Sequence, residues 1–221
     1  MISFIIPTKN ESKYLKDCLK SIERLNCEKE IIVVDATDDK KTKRLTKKYN
    51  GKFIYEKRKG PSIARNTGAK KAKGDILVFT DADVRFCENF CKNLDKYDAG
   101  IFDLRFWDGK GILENFLFAL WNRFIKCLIN LGFVMTNGSC FLYKKNVFEK
   151  IGGFNKDLLT NEDNDLAKRA SKITKFSFIP KIVHTSNRRM HKQGTVKYLK
   201  NHIISTLTYL VSGKSYEKYW E

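Results

Sequence analysis

Apolar and polar residues are arranged in short blocks along the first 80 positions of the chain. Four apolar runs, each followed by polar residues, predict buried strands at Ile2–Ile6, Glu30–Val34, Lys52–Tyr55 and Ile76–Phe79. Between the first two runs, apolar side chains recur at helical spacing, at Leu15, Cys18, Leu19, Ile22 and Leu25. Repeated strand–helix–strand units predict an α/β fold with a mostly parallel, Rossmann-like central sheet and helices on both faces.

The pattern continues less regularly beyond residue 98. Segments 99–107, 138–143, 176–179 and 181–184 predict further strands. Ile112–Asn130 predicts a long helix whose polar stripe consists of Asn115, Asn122, Arg123, Lys126 and Asn130. Its other face is broad and apolar, with Phe116, Leu117, Leu120, Trp121, Phe124 and Leu128. Two alternatives remain open for this face: it packs in the core, or it meets a membrane surface or a lipid-linked substrate.

A second predicted helix carries acidic residues in its first turn. Asp163, Leu166, Ala167 and Ala170 share one side, so the face that packs inward includes a carboxylate. A helix N-terminus favours the charged form of such a group. These acids are also typical helix caps, but one inward carboxylate is sufficient for a general base.

Polar side chains follow each of the first four predicted strands: Thr8–Glu11, Asp35, segment 57–65, and Asp81 with Asp83. In parallel sheets of this class, ligands bind beyond the carboxyl ends of the strands. Side chains alternate along an extended segment, so Asp81 and Asp83 project the same way. An isolated Asp-x-Asp is often a solvated turn, but the convergence of four strand ends favours a divalent cation, Mn²⁺ or Mg²⁺, bridging to a diphosphate.

The chain has 221 residues, enough for one domain with an appendage. We expect a domain over 1–190, with a nucleotide-binding half at 1–98 and an acceptor and catalytic half at 99–190, and a helical tail at 191–221. Lys and Arg number 43 against 25 Asp and Glu, a net charge of +18 that predicts anionic partners. Six cysteines without CxxC spacing predict free buried thiols in a reducing compartment. We see neither a signal peptide nor an apolar run long enough to span a bilayer.

Four segments together resemble family 2 glycosyltransferases of the GT-A fold: SFIIPTKNE, EIIVVDATDD, GPSIARNTGAKKAKGDILVFTDADV and GGFNKDLLTNEDNDLAKRA. They cover residues 2 to about 185 in the order and spacing of the family. The resemblance implies an inverting transfer of a sugar from a UDP-, GDP- or dTDP-sugar. The acceptor would be a glycan, a polyprenyl or dolichyl phosphate, or a lipid-linked saccharide. We expect a cytoplasmic enzyme, peripheral on the inner face of the membrane, that does not bind nucleic acid.

The resemblance also assigns roles by position. Pro7, Thr8, Glu11, Asp35, Arg65 and Asp81 would bind the nucleotide, and Asp83 would hold the metal against the diphosphate with His184 nearby. Asp163 would be the catalytic base and Glu162 its support. Arg188 and Arg189 are candidates for contacts with the diphosphate.

The chain departs from the family pattern in two places. The turn after the second strand is Asp35-Ala36-Thr37-Asp38-Asp39, which leaves open whether Asp38 or Asp39 contributes. A QxxRW-like segment is absent, which predicts a non-processive enzyme. One alternative is a sugar-nucleotide pyrophosphorylase, which would normally show a Gly-rich basic loop where this chain has Pro7–Glu11. Another is a basic nucleic-acid-binding protein, for which the sequence offers charge but no recognition module.

Overall fold

We analysed the chain in a computed structural model. It describes residues 1–58, 60–108 and 112–194, together with residues 197, 200, 201, 204, 205, 208, 209, 212 and 213. Most of the predicted tail at 191–221 therefore lies outside the described residues.

The N-terminal half alternates strands and helices as predicted. Its elements are β1 (Ile2–Thr8), α1 (Ser12–Glu23), β2 (Lys29–Asp35), α2 (Lys40–Lys48), β3 (Lys52–Tyr55), α3 (Pro61–Lys71) and β4 (Ile76–Thr80). All five predicted inward positions of the first helical segment are buried, from Leu15 to Leu25. The α/β prediction is confirmed for this half.

The C-terminal half contains β5 (Arg85–Phe86), a 3-10 turn at Leu94–Lys96, β6 (Ala99–Phe106), α4 (Ile112–Asn130), β7 (Cys140–Lys144), α5 (Lys145–Lys150), α6 (Glu162–Ala170), β8 (Phe176–Thr185) and α7 (Arg188–Gln193). The two predicted segments at 176–179 and 181–184 form the single strand β8. Its pairing with β6 shifts register between Phe102 and Asp103.

The strands form one eight-stranded mixed sheet in the order β3-β2-β1-β4-β7-β6-β8-β5. Strands β3, β2, β1 and β4 run parallel, and β7 then pairs antiparallel with both β4 and β6. Beyond this, β6 and β8 are parallel, whereas β8 and β5 are antiparallel. The carboxyl ends of β1, β2 and β4 consequently lie side by side at one edge of the sheet.

Two hydrophobic clusters fill the two faces of the sheet. One contains Phe4 and Ile6 of β1 with the buried side of α1, and the other contains Ile5, Val34 and Phe79 with α3 and α6. Helix α3 approaches the sheet closely at Gly68, where an added Cβ atom would lie 2.5 Å from the Cγ2 atom of Ile5. The glycine therefore fixes how near Arg65, one turn earlier, lies to the strand ends.

Helix α4 has the predicted bounds, and the structure distinguishes between the two alternatives left open for its apolar face. Asn122, Ile125 and Ile129 are buried, and the Nδ2 atom of Asn122 donates to the carbonyl of Leu104 in β6. Four of the residues on the predicted apolar face are exposed instead: Phe116, Leu120, Trp121 and Phe124. Core packing, one of the two alternatives for this face, is wrong for these four side chains, because α4 packs on the domain through Asn122, Ile125 and Ile129 instead. The side chain of Leu117 lies outside the described residues.

The prediction of six buried free thiols is wrong. Cys27 and Cys91 form a disulfide, with Cα atoms 6.3 Å apart, because the loop after α1 and the turn after β5 meet in space. Cys18 and Cys140 are buried free thiols, whereas Cys127 is exposed. Within the described part of the chain, no helix is both long enough and apolar enough to cross a bilayer.

Candidate active site

A cleft of about 590 Å³ opens where the ends of β1 and β4 face the N-terminus of α6. Many of the predicted site residues line it: Pro7, Thr8, Glu11, Arg65, Asp81, Glu162 and Asp163. These residues come from four separate parts of the chain. The cleft therefore gathers five of the six predicted nucleotide-binding residues and both predicted catalytic carboxylates, whereas Asp35 is not among the residues that line it.

Arg65 of α3 connects the two sides of this cleft. Its Nη1 atom donates to Oε1 of Glu162 at 2.6 Å, and its Nη2 atom donates to Oδ1 of Asp81 at 3.1 Å. The guanidinium group is buried between the rings of Phe141 and Phe154, 5.1 and 5.5 Å from their centroids. Burial disfavours its charge, but the carboxylates outweigh this effect and keep the pKa of Arg65 above its ordinary value.

Glu162 is held in an apolar environment at the start of α6. Burial raises its pKa to about 7, the negative charge of Asp163 acts in the same direction, and the Arg65 guanidinium opposes both. The two neighbouring carboxylates therefore differ in their partners. Glu162 forms an ion pair with Arg65, whereas Asp163 has no ion pair among the described contacts.

Asp163 is oriented by Thr136, a residue of the segment before β7. The hydroxyl of Thr136 donates to Oδ2 of Asp163 at 2.5 Å, and the backbone N–H of Thr136 donates to Oδ1 of Asn164 at 2.9 Å. Gly138 has φ +80 and lies beside the same carboxylate, where an added Cβ atom would be 3.7 Å from Oδ2. This short segment before β7 thus shapes the surroundings of Asp163.

Asp35 is fully buried at the end of β2 and organises the neighbouring turn. Its Oδ2 atom accepts from the hydroxyl of Thr8 at 2.7 Å, and its Oδ1 atom accepts from the backbone and side chain of Thr37. Asp39 caps α2 by accepting from the N–H groups of Lys41 and Thr42. Asp38 is exposed and has φ +51. Of the two acids that the sequence left open, Asp39 therefore caps a helix, whereas Asp38 is exposed.

Asp83 is paired with an arginine from the C-terminal part of the chain. The Nε atom of Arg188 donates to Oδ2 of Asp83 at 2.7 Å, and its Nη2 atom donates to Oε1 of Glu11. The guanidinium carbon also lies 4.2 Å from the ring centroid of Tyr14. Asp83 does not itself line the cleft, but Arg188 connects it to Glu11, which does.

His184 lies in β8, beside the short strand β5 that begins two residues after Asp83. It faces Arg85 in the β5–β8 ladder, and its Nδ1 atom is 3.9 Å from the sulfur of Cys87. Burial, followed by the charges of Arg105 and Arg85, lowers the pKa of His184 and favours the neutral ring that can bind a metal. Arg189 lies in α7, but its side chain is outside the described residues, and its role stays a prediction.

Some residues of the cleft were not predicted. Ser205 lines it from the C-terminal tail; its Oγ atom accepts from Nδ2 of Asn161, the residue before α6, at 2.9 Å. Tyr209, which is also in the tail, donates its hydroxyl to Oδ1 of Asp165 in α6 at 3.3 Å. Neither the tail nor Thr136 carries a motif, and their contribution follows only from how the chain folds.

The model of the protein family described as glycosyl transferase family 2 matches residues 3–152, more than half of the chain. The chain belongs to glycosyl transferase family 2. Membership confirms the resemblance seen in the motifs. It also supports the prediction of an enzyme over that of a nucleic-acid-binding protein.

Characterised and uncharacterised relatives extend the match. The poly(ribitol-phosphate) β-N-acetylglucosaminyltransferase TarS of Staphylococcus aureus is 31% identical over 90 residues, which are 37% of this chain and 16% of the relative. An uncharacterized glycosyltransferase of Rickettsia conorii is 26% identical over 220 residues, 91% of this chain and 36% of the relative. This family 2 chain thus spans well under half the length of either relative.

A third relative, from Methanococcus voltae, is a dolichyl N-acetyl-α-D-glucosaminyl phosphate 3-β-D-2,3-diacetamido-2,3-dideoxy-β-D-glucuronosyltransferase. It is 37% identical over 103 residues, which cover 42% of this chain and 32% of the relative. The shared region includes less than half of this chain, so it supports the family rather than a particular substrate.

Solved structures confirm the fold. TarS residues 1–349 in complex with UDP-GlcNAc superpose with a TM-score of 0.67 at 18% identity, covering 94% of this chain and 66% of that one. The mannosyltransferase PcManGT of Pyrobaculum calidifontis, in complex with GDP-Man and Mn²⁺, gives a TM-score of 0.63 at 18% identity over 92% and 64% of the two chains. The GT-A fold predicted from the sequence is therefore the fold of this chain.

Proposed function

We propose that this chain is an inverting, metal-dependent glycosyltransferase that moves one sugar from a nucleoside diphosphate to an acceptor. The observation that carries the proposal is the ion-pair bridge of Arg65, which joins Asp81 and Glu162 across the cleft that also contains Asp163. Structural neighbours were solved with UDP-GlcNAc and with GDP-Man, which supports a nucleotide-sugar donor without selecting the base.

The nucleotide would bind over the ends of β1 and β2. Pro7, Thr8 and Glu11 line the cleft there, and the buried Asp35 fixes the position of Thr8 through its hydrogen bond. Asp81 would contact the ribose, held in place by Arg65. The partners of Asp35 indicate that it acts by shaping this pocket together with Thr37.

A divalent cation fits the carboxylate of Asp83. This group already has a positively charged partner in Arg188, and carboxylate oxygens suit Mn²⁺ and Mg²⁺. Among the described residues, no three His, Cys, Asp or Glu side chains form a complete metal site, so oxygens of the donor diphosphate would complete the coordination. When bound, the metal would neutralise charge on the leaving nucleoside diphosphate. PcManGT was solved with Mn²⁺, which favours that ion.

Asp163 would serve as the general base. As an acceptor hydroxyl attacks the anomeric carbon, its proton passes to Asp163, the bond between this carbon and the phosphate oxygen breaks, and the nucleoside diphosphate leaves. A single displacement of this kind inverts the anomeric configuration. Glu162 would support the base by holding Arg65, and Thr136 orients the carboxylate itself.

The acceptor we favour is lipid-linked. The relative from Methanococcus voltae is named for a dolichyl phosphate saccharide, and the exposed apolar side of α4 offers a surface for a lipid. The enzyme would then work in the cytoplasm, peripheral on the inner face of a membrane. A soluble glycan and a polyprenyl phosphate are the alternative acceptors.

A thermal-shift screen of UDP-, GDP- and dTDP-sugars, each with and without Mn²⁺ or Mg²⁺, tests the donor and the metal. We expect one nucleotide to raise the melting temperature only when metal is present, because binding stabilises the native state. Asp83→Ala should abolish that increase, whereas the exposed Asp95→Ala should not. No metal-dependent increase with any donor would overturn the proposal.

Activity of Asp163→Asn then identifies the class of acceptor. A hydroxyl acceptor must lose a proton, so this variant should be almost inactive while still binding the donor. An acceptor phosphate arrives ionised, and the loss should then be mild. Asp157→Asn, an exposed substitution of the same kind in the loop before α6, should leave the rate unchanged.

A further inference from the structure

The exposed side of α4 and the turn after it form one apolar surface. We define the α4 surface by its exposed aromatic and aliphatic side chains, which are between 36% and 67% accessible: Phe116, Leu120, Trp121, Phe124, Leu131 and Phe133. Trp121 and Phe124 pack against each other with ring centroids 5.7 Å apart. Monomeric proteins rarely leave such a group uncovered unless it contacts a partner.

The aromatic side of α4 is exposed because the opposite side of the helix packs against the domain. Asn122, Ile125 and Ile129 already pack against the domain, and Asn122 is tied to Leu104. The helix therefore has no freedom to rotate its aromatic side inward without breaking a buried hydrogen bond and exposing Ile125. Its outer side remains available to a partner.

The positive charge of the chain favours an anionic membrane over a second copy of the chain as the partner of this surface. The segment of α4 carries one acid, Glu114, and two bases, Arg123 and Lys126, in a chain with a net charge of +18. Both bases are exposed beside the aromatic residues. A second copy of the same chain would be repelled by this charge, whereas an anionic bilayer would be attracted. Tryptophan and phenylalanine next to basic residues are also typical of helices that lie in a membrane interface.

The α4 surface continues directly into the cleft. Phe133 is followed three residues later by Thr136, which lines the cleft and orients Asp163. Three residues span at most about 10 Å, so a bilayer touching Phe133 would lie that close to the wall of the cleft. Leu159, which is exposed and also lines the cleft, adds an apolar residue to it.

We infer that the α4 surface docks on an anionic phospholipid bilayer, with its aromatic side chains in the interface and the cleft opening at the membrane. The delivery of a lipid-linked acceptor to Asp163 rests on the proposed function. The docking itself does not, because it depends only on the apolar surface and the charge of the chain.

Sedimentation with vesicles of equimolar phosphatidylglycerol and phosphatidylcholine tests the docking. The full chain should bind these vesicles and bind pure phosphatidylcholine vesicles far less. The double variant Trp121→Ser, Phe124→Ser should weaken binding at least about tenfold, because each aromatic ring loses its apolar environment. The matched variant Tyr55→Ser, Ile173→Ser removes two exposed apolar side chains elsewhere and should bind as the wild type does.

Brominated lipids identify the part of the chain that enters the membrane. Tryptophan fluorescence should be quenched in the wild type, and Trp121→Phe should lose most of the quenching while still binding. Thermal melting of each variant checks that it is folded. The inference is overturned by equal weakening in both double variants, by quenching that persists in Trp121→Phe, or by a stable dimer that buries Trp121.

The outcome is independent of the enzymatic assay. A chain that binds vesicles but no nucleotide-sugar would refute the proposed function and leave the docking intact. An active transferase that does not bind vesicles would refute the docking and leave the proposed sugar transfer intact.

Discussion

The side chain of Arg188 neutralises Asp83, with 2.7 Å between Nε and Oδ2, although 105 residues separate the two in the chain. Asp83 and Glu11 together keep the pKa of Arg188 above its ordinary value, even though partial burial opposes this. A guanidinium thus takes the place that the proposed function gives to a divalent cation. A cation bound to Asp83 as proposed would compete with Arg188 for this carboxylate, and the Arg188 side chain would have to turn away from it.

Replacement of this arginine should strengthen metal binding. In Arg188→Gln the competing charge is removed, and we expect Mn²⁺ to bind several-fold more tightly, as befits a partly exposed ion pair that contributes about 1 kcal/mol. The measurement is titration of free Mn²⁺ by electron paramagnetic resonance, without donor. Arg169→Gln, which removes an arginine paired with Asp165 in α6, is the control and should not alter the affinity. Unchanged or weaker Mn²⁺ binding in Arg188→Gln would contradict the competition.

Glu162 gives the folded state a dependence on pH near neutrality. Its pKa of about 7 lies above the ordinary value of 4.5, so the folded chain retains a proton that the unfolded chain releases. The resulting contribution to the free energy of unfolding is complete below about pH 4.5, decreases as the pH rises, and is lost above pH 7. Its size is at most about 3 kcal/mol.

Urea unfolding between pH 4.5 and 7 measures this effect. The free energy of unfolding of the wild type should fall relative to that of Glu162→Gln as the pH rises, because the amide does not titrate. Glu149→Gln, at an exposed position of α5, should run parallel to the wild type. Parallel curves for wild type and Glu162→Gln would show that Arg65 keeps the carboxylate ionised throughout.

The strand ends of the N-terminal half are predictable because the signals there are local. Asp35 and Asp81 each follow a buried apolar run within one element, and parallel strands place their carboxyl ends at one edge. The grouping of Thr8, Asp35 and Asp81 at this edge therefore follows from the pattern alone. Motif positions further along, such as Asp163, needed the resemblance to the family as well.

Other features depend on tertiary contacts that no local pattern encodes. The resemblance to the family predicts Arg65 as a nucleotide-binding residue, but its bridge to Glu162, 97 positions away, follows only from the fold. The periodicity of α4 leaves open whether its aromatic residues face the core; in the structure Asn122, Ile125 and Ile129 pack inward instead. Strand β5 has only two residues, which are too few to show a periodic pattern in the sequence.

Thr136 offers a test of the base that leaves the ion pairs of the site untouched. Thr136→Val keeps the shape of the buried side chain but removes the hydroxyl that holds Asp163. Under the proposed function, kcat should fall by about tenfold or more, because a misaligned base costs transition-state stabilisation, while the KM for the donor should stay within about twofold. Thr136→Ser retains the hydroxyl and should recover most of the rate. A loss of stability of about 1 kcal/mol is expected for valine from the missing hydrogen bond. If valine lowers only the stability and leaves kcat unchanged, the contact is structural and Asp163 needs no such support.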